Sequence, residues 1–203
     1  ERTSQYVSCN TTLSFSDEDL LLGSKLHNRP LYVSGYIRGK KVTRILIDGG
    51  SGVNLMPKST MKELGIKMDE LSSNRTVIHD FNMNDERAIG MIRVNITMDD
   101  LSSDTLFHVI NAKTSFKLLL GRPWCHENGV VASTLHQCLR YYRGGERKIN
   151  GDVKPFDKVE SFFADAKFFE EDGTSSEFLP TTIASIGKGK TNIKKVRRKG
   201  EMT

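Results

Sequence analysis

Between Leu31 and Tyr142 the chain is a series of short apolar runs broken by polar or glycine-bearing links. LYVSGYI (Leu31 to Ile37) and VTRILI (Val42 to Ile47) flank RGKK (Arg38 to Lys41), a spacing that predicts a β-hairpin with Gly39 in its turn. The second run ends on three consecutive apolar residues, Ile45 to Ile47, as expected of a strand covered on both faces, and passes directly into Asp48. A glycine-rich turn, the short apolar VNLMP (Val53 to Pro57) and a short helix over PKSTMKELG (Pro57 to Gly65) follow, with Pro near the helix start and Gly as its stop. Further strands are predicted at Arg75 to Phe81, Ala88 to Met98 and Thr105 to Ala112, with MNDER and DDLSSD as the turns between them. FKLLLG (Phe116 to Gly121), a short helix RPWCHENG (Arg122 to Gly129) and VVASTLHQCLRYY (Val130 to Tyr142) complete the series. Many short strands with one or two short helices predict a small all-β domain over residues 25–155.

The ends read differently. Residues 1–24 are largely polar, apart from FSDEDLLLGSK (Phe15 to Lys25), where Ser16 could cap a short helix or turn ending near Gly23. Residues 156–203 form a linker and a basic tail, poor in apolar side chains near its end and expected to be disordered. The start, ERTSQYVSCN, has neither an initiator Met nor a signal-peptide pattern, which reads as a piece of something longer. No apolar run approaches the ~20 residues of a membrane-spanning helix, so no membrane partner is expected. Three cysteines without a C-x-x-C pair point to a reducing, intracellular setting, most simply the cytoplasm. In that setting the sequons at Asn10, Asn74 and Asn95 carry no sugar. The formal charge of +5 is concentrated at the C-terminus, where Ser185 to Thr203 carries seven Lys/Arg against one Glu. Only this tail could contact nucleic acid, weakly and in a salt-dependent way.

Chemistry gathers at Asp48. A carboxylate ending a buried apolar strand is costly unless it is paired, hydrogen-bonded or neutralised. Gly49 and Gly50 permit a tight turn that brings main-chain N–H groups to the carboxylate and leaves room for a second copy to approach. Two facing carboxylates share one proton; one then activates water while the other polarises or protonates a peptide carbonyl.

With its ILIDGGS element (Ile45 to Ser51) the chain resembles the retropepsins, the homodimeric aspartic proteases of retroviruses and retrotransposons, whose motif is D-[ST]-G-[AS] after an apolar strand. The family's second signature, two apolar residues and Gly before a short helix, is matched by LLGRPW: Leu119, Leu120, Gly121 and Arg122. FSDEDLLLGSKLHNRPLYVSGYIRG and LLLGRPWCHENGVV are most similar to proteases of plant Ty3/Gypsy-type elements, and the resemblance covers residues 13–150. It implies a closed, barrel-like acid-protease fold and Asp48 as the catalytic residue, on a turn of Gly49, Gly50 and Ser51. It also implies a homodimer uniting two half-sites, and a substrate-binding flap between Thr76 and Ile96 whose tip includes Phe81, Asn82, Met83 and Asn84. The substrate would be an extended peptide within the element's own polyprotein, and neither cofactor nor metal is implied.

The chain departs from the family pattern in three places. Gly49 replaces the Thr or Ser whose hydroxyl bonds across the dimer axis, Gly52 stands where an acid often pairs with the Arg, and the flap tip lacks the usual glycines. A second reading is therefore a catalytically impaired dimerisation or interaction module, and a third a nucleic-acid-binding fragment driven by the tail. Cys125, His126, His136 and Cys138 lack a usual zinc spacing and read as core or surface side chains, as do His79 and His108. GKGKT (Gly187 to Thr191) is no phosphate loop, because Ala184 stands where the leading Gly is required, and GGSG is no nucleophile elbow, because Val53 follows it.

Overall fold

Strict alternation shapes the sheet. Along Gly90–Met98 every second residue, from Gly90 through Ile92, Val94 and Ile96 to Met98, is buried, while Arg93 and Asn95 face outward. The computed structural model describes residues 12–24, 27–73, 77–79 and 85–155, all within one compact unit, Glu1–Phe169. Its strands are β1 (Tyr32–Ile37), β2 (Lys40–Ile47), β3 (Leu55–Pro57), β4 (Val77–His79), β5 (Asp85–Arg87), β6 (Gly90–Met98), β7 (Leu101–Ile110), β8 (Leu118–Leu120), β9 (Val131–Ser133), β10 (Cys138–Tyr142) and β11 (Glu146–Asn150). The helices are α1 (Lys58–Glu63) and α2 (Arg122–Glu127). The described chain is thus all-β with two short α-helices.

Six strands close into a barrel in the order β1-β2-β8-β3-β7-β6. The β1–β6 seam pairs Tyr36 with Thr97 and Ile37 with Ile96. At Gly35 a Cβ would lie 2.7 Å from Met98 Cγ and 2.9 Å from the Thr97 carbonyl, so a side chain there would force the seam apart. Arg38 and Gly39 both take positive φ, the turn that matches the twist of a two-residue hairpin between β1 and β2. Inside the barrel lie Val33, Ile37, Ile45, Met56, Phe107 and Leu120, all essentially inaccessible. α2 is anchored by Trp124, fully buried, whose indole N–H donates to Ser103 Oγ at 3.0 Å.

Several expectations are corrected. Asp85–Arg87, read as part of a turn, form β5 and pair with β4. Within DDLSSD only Asp99 and Asp100 turn; Leu101 already pairs with Met98. The strand there is polar because its outward side chains satisfy one another: Ser102 Oγ and Thr97 Oγ1 both donate to Asn95 Oδ1, and Asn95 Nδ2 donates to Asp104 Oδ1. VVASTLHQCLRYY splits into β9 and β10 around Gln137, whose φ is 54° and whose buried amide donates to the carbonyls of Arg29 and Thr134. β11, which was not foreseen, completes a sheet in the order β11-β10-β9. The short helix or turn expected at Phe15 to Gly23 is a 3-10 turn at Asp17–Asp19 with Ser16 before it. It packs on this second sheet, with Phe15 stacked on His136 and Asp19 paired with Arg140 at 2.6 Å and Lys148 at 3.0 Å.

Candidate active site

The two sequence elements meet side by side. β2 and β8 run parallel in register, pairing Ile45 with Leu118, Leu46 with Leu119 and Ile47 with Leu120. The ladder continues one step past β2, where the Asp48 N–H donates to the Leu120 carbonyl at 2.9 Å. The chain then turns back on itself, with the Ser51 N–H donating to the Asp48 carbonyl at 3.1 Å. Gly50 N–H donates to Asp48 Oδ1 at 2.8 Å, so one carboxylate oxygen is held by the main chain while the side chain remains half-exposed. Gly49 and Gly50 are exposed beside it.

The second element supports the first from below. The Arg122 N–H donates to the Ser51 carbonyl at 2.9 Å. Ser51 Oγ donates to the Val53 carbonyl at 2.9 Å, tightening the loop from within. Gly121 is buried against this loop, and a Cβ on it would lie 2.7 Å from the Ser51 carbonyl and closer still to that of Val53. That is the physical meaning of the glycine in Leu-Leu-Gly. Leu120 is wholly buried and Leu119 nearly so. The Arg122 side chain is exposed and passes over Gly52, 3.6 Å from where a Cβ would stand, so no side chain at position 52 meets its guanidinium.

Asn54 is a residue that sequence reading missed. It is buried, its Oδ1 accepts from Gly121 N–H at 2.8 Å and its Nδ2 donates to the Leu106 carbonyl at 3.0 Å. The available signal was one polar residue inside the apolar VNLMP run. A rank of side chains also crosses the sheet beside Asp48, through the pairings Leu46–Leu119, Leu119–Leu55, Leu55–His108 and His108–Met91. Directly opposed residues share a sheet face, and all but the nearly buried Leu119 are half-covered. Leu46 is therefore not enclosed as fully as its neighbours Ile45 and Ile47, a correction to the strand expected to be covered on both faces. Burial lowers the His108 pKa, favouring the neutral ring. The Cys125 thiol, in the second half of α2, is pushed up by burial and by the negative charge of Asp48, which keeps it protonated.

The remaining sequence candidates do not converge. Cys138 is buried in β10, His136 shares a hydrogen bond with Ser133 Oγ at 2.7 Å, and His126 is exposed on α2. The hairpin β4–β5 occupies the place foreseen for the flap, but Phe81, Asn82, Met83 and Asn84 lie outside the described residues. So do residues 156–203, and with them the basic tail. Among the described residues no helix is long and apolar enough to cross a membrane.

No family model matches the chain, and no curated protein matches it. Solved structures do. Its structural neighbours include retropepsin-like aspartic protease domains. The retroviral protease-like domain of Ddi1 from Leishmania major is 18% identical and covers 62% of this chain and 98% of its own, with a TM-score of 0.48. A retropepsin-like aspartic protease from Rickettsia conorii is 17% identical, covering 51% of this chain and 76% of its own, with a TM-score of 0.41. EIAV protease in complex with the inhibitor HBY-793 is 14% identical, covering 52% and 93%, with a TM-score of 0.43.

Proposed function

We propose that this chain supplies one half of an aspartic endopeptidase site, completed by a second copy across a two-fold axis, and that it cleaves extended peptide within a retroelement polyprotein of the plant Ty3/Gypsy type. One observation carries the reading. Asp48 sits on a turn tied to the Leu-Leu-Gly strand by main-chain hydrogen bonds, with its carboxylate partly open and two exposed glycines beside it. A carboxylate so placed can meet its symmetry mate closely enough to share a proton, leaving one base to activate water and one acid to serve the carbonyl. The rank of Leu46, Leu119 and Leu55 beside it offers an apolar wall for a substrate side chain. The β4–β5 hairpin is suited to close over an extended backbone.

The test is cleavage of polyprotein-derived peptides at mildly acidic pH by the wild type and by Asp48→Asn. The expected result is pepstatin-sensitive cleavage that falls at least ~1000-fold in the variant, the scale at which losing an acid–base pair is felt. Cleavage that survives the substitution removes Asp48 from the mechanism. Gly49 favours the second reading, a protease-like dimerisation module, because it lacks a hydroxyl to bond across the axis. Dimers without any pepstatin-sensitive cleavage would establish that reading instead.

A further inference from the structure

We infer that Asn54 is a positioning residue of this site: its carboxamide couples the Asp48 turn to both the Leu-Leu-Gly strand and β7. The inference rests on the protease reading for its kinetic consequence, and on geometry alone for the coupling itself.

The loop from Asp48 to Asn54 is tied at its start, middle and end to three successive residues. Asp48 N–H reaches the Leu120 carbonyl, Gly121 N–H reaches Asn54 Oδ1, and Arg122 N–H reaches the Ser51 carbonyl. Only the tie at Gly121 uses a side chain. The same amide reaches the opposite way, donating to the Leu106 carbonyl, while the Asn54 main-chain carbonyl accepts from His108 N–H at 2.9 Å. Asn54 thereby extends the β3–β7 ladder beyond the end of β3, which begins at Leu55. A buried Gly121 N–H and the Leu106 carbonyl both need partners, and one side chain must supply an acceptor and a donor in opposite directions. Leu has the volume and neither group. An ionised Asp has only acceptors and would set a negative charge against the Leu106 carbonyl; a protonated Asp again has one of each. Asn54 touches no reacting atom in this scheme. It acts through the placement of Asp48, where an error of about 1 Å costs on the order of 100-fold in rate.

The experiment compares wild type, Asn54→Leu and Asn54→Asp as full chains. In Asn54→Leu, kcat falls by about 100-fold while KM changes little, and Gly121 amide exchange accelerates. In Asn54→Asp, kcat approaches wild type at low pH and collapses as the introduced carboxyl ionises, at a pH where wild type still works. Titratable groups on the surrounding elements are Asp48 on the same loop, His108 on β7, and Arg122 and Cys125 on α2. They are common to both proteins, so the difference between the two pH profiles belongs to position 54. Parallel profiles for Asn54→Asp and wild type overturn the inference, as does unchanged Gly121 exchange in Asn54→Leu. Should Asn54→Leu fail to fold, the Asn54→Asp profile decides alone. A wild-type chain that cleaves no peptide defeats the protease reading, and the thermal stability of Asn54→Asp measured against wild type at each pH then decides the coupling: a deficit that opens as the introduced carboxyl ionises and loses its donor to the Leu106 carbonyl supports it, and a difference that stays constant overturns it.

Discussion

Two adjacent glycines in the Asp48 turn have opposite tolerances. A Cβ on Gly50 would stand 3.1 Å from Asp48 Oδ1, inside the space the carboxylate needs, whereas a Cβ on Gly49 meets nothing within 4 Å and its φ is not positive. Position 49 therefore has room for a side chain. If a second copy completes the site as proposed, a hydroxyl there should help twice. Gly49→Ser lowers the entropy of the unfolded chain, typically worth about 0.4–1 kcal/mol, and each hydroxyl bonded across the axis adds about 0.5–1.5 kcal/mol. The expected outcome is a dimer dissociation constant about tenfold lower by sedimentation, since 1.4 kcal/mol is a factor of ten. Unchanged affinity would mean that position 49 does not face its mate. Arg122 shows the same economy of side chains: Gly52 beside it offers no acid, and the residue ties the turn through its main-chain N–H.

At the scale of elements, the 3-10 turn near the N-terminus is held by charge. The Arg140 guanidinium beside Asp19, helped by the Ser16 N–H and Lys148, holds the Asp19 carboxyl far below the usual carboxylate range. A depressed pKa means that this contact is fully present above the unfolded value of ~3.9 and is lost as pH falls below it. Asp19→Asn should therefore reduce thermal stability at neutral pH, with the gap to wild type closing toward pH 2. A gap that stays constant across that range would remove Asp19 as its cause. Elements were legible where burial imposed a period. The β1–β2 hairpin, β6 and both helices follow from alternation, Gly39, Pro57 and Gly65. β11 and the start of β7 were not, because their polar residues earn strand geometry through cross-strand partners such as Asn95 and Asp104. Asp48, Gly121 and the turn between them and Asn54 were readable as a motif. Asn54 itself was not, since nothing in VNLMP says where its amide points.

For the molecule as a whole, the proposed half site per chain predicts a concentration dependence. Specific activity should rise with protein concentration, steeply around the dimer dissociation constant and levelling off well above it, while dilution inactivates reversibly. Activity per protomer that is flat through the range where sedimentation shows dissociation would overturn the shared site. Within the protomer, the parallel β2–β8 pairing has a further consequence. Its partners stand roughly seventy residues apart, and closing so long a loop is slow compared with forming a local hairpin. A chain emerging from the ribosome presents β1, β2 and Asp48 long before Leu118 to Arg122 exist to support them. The carboxylate is thus made early and assembled late: a half-synthesised chain holds Asp48 without the strand that supports its turn.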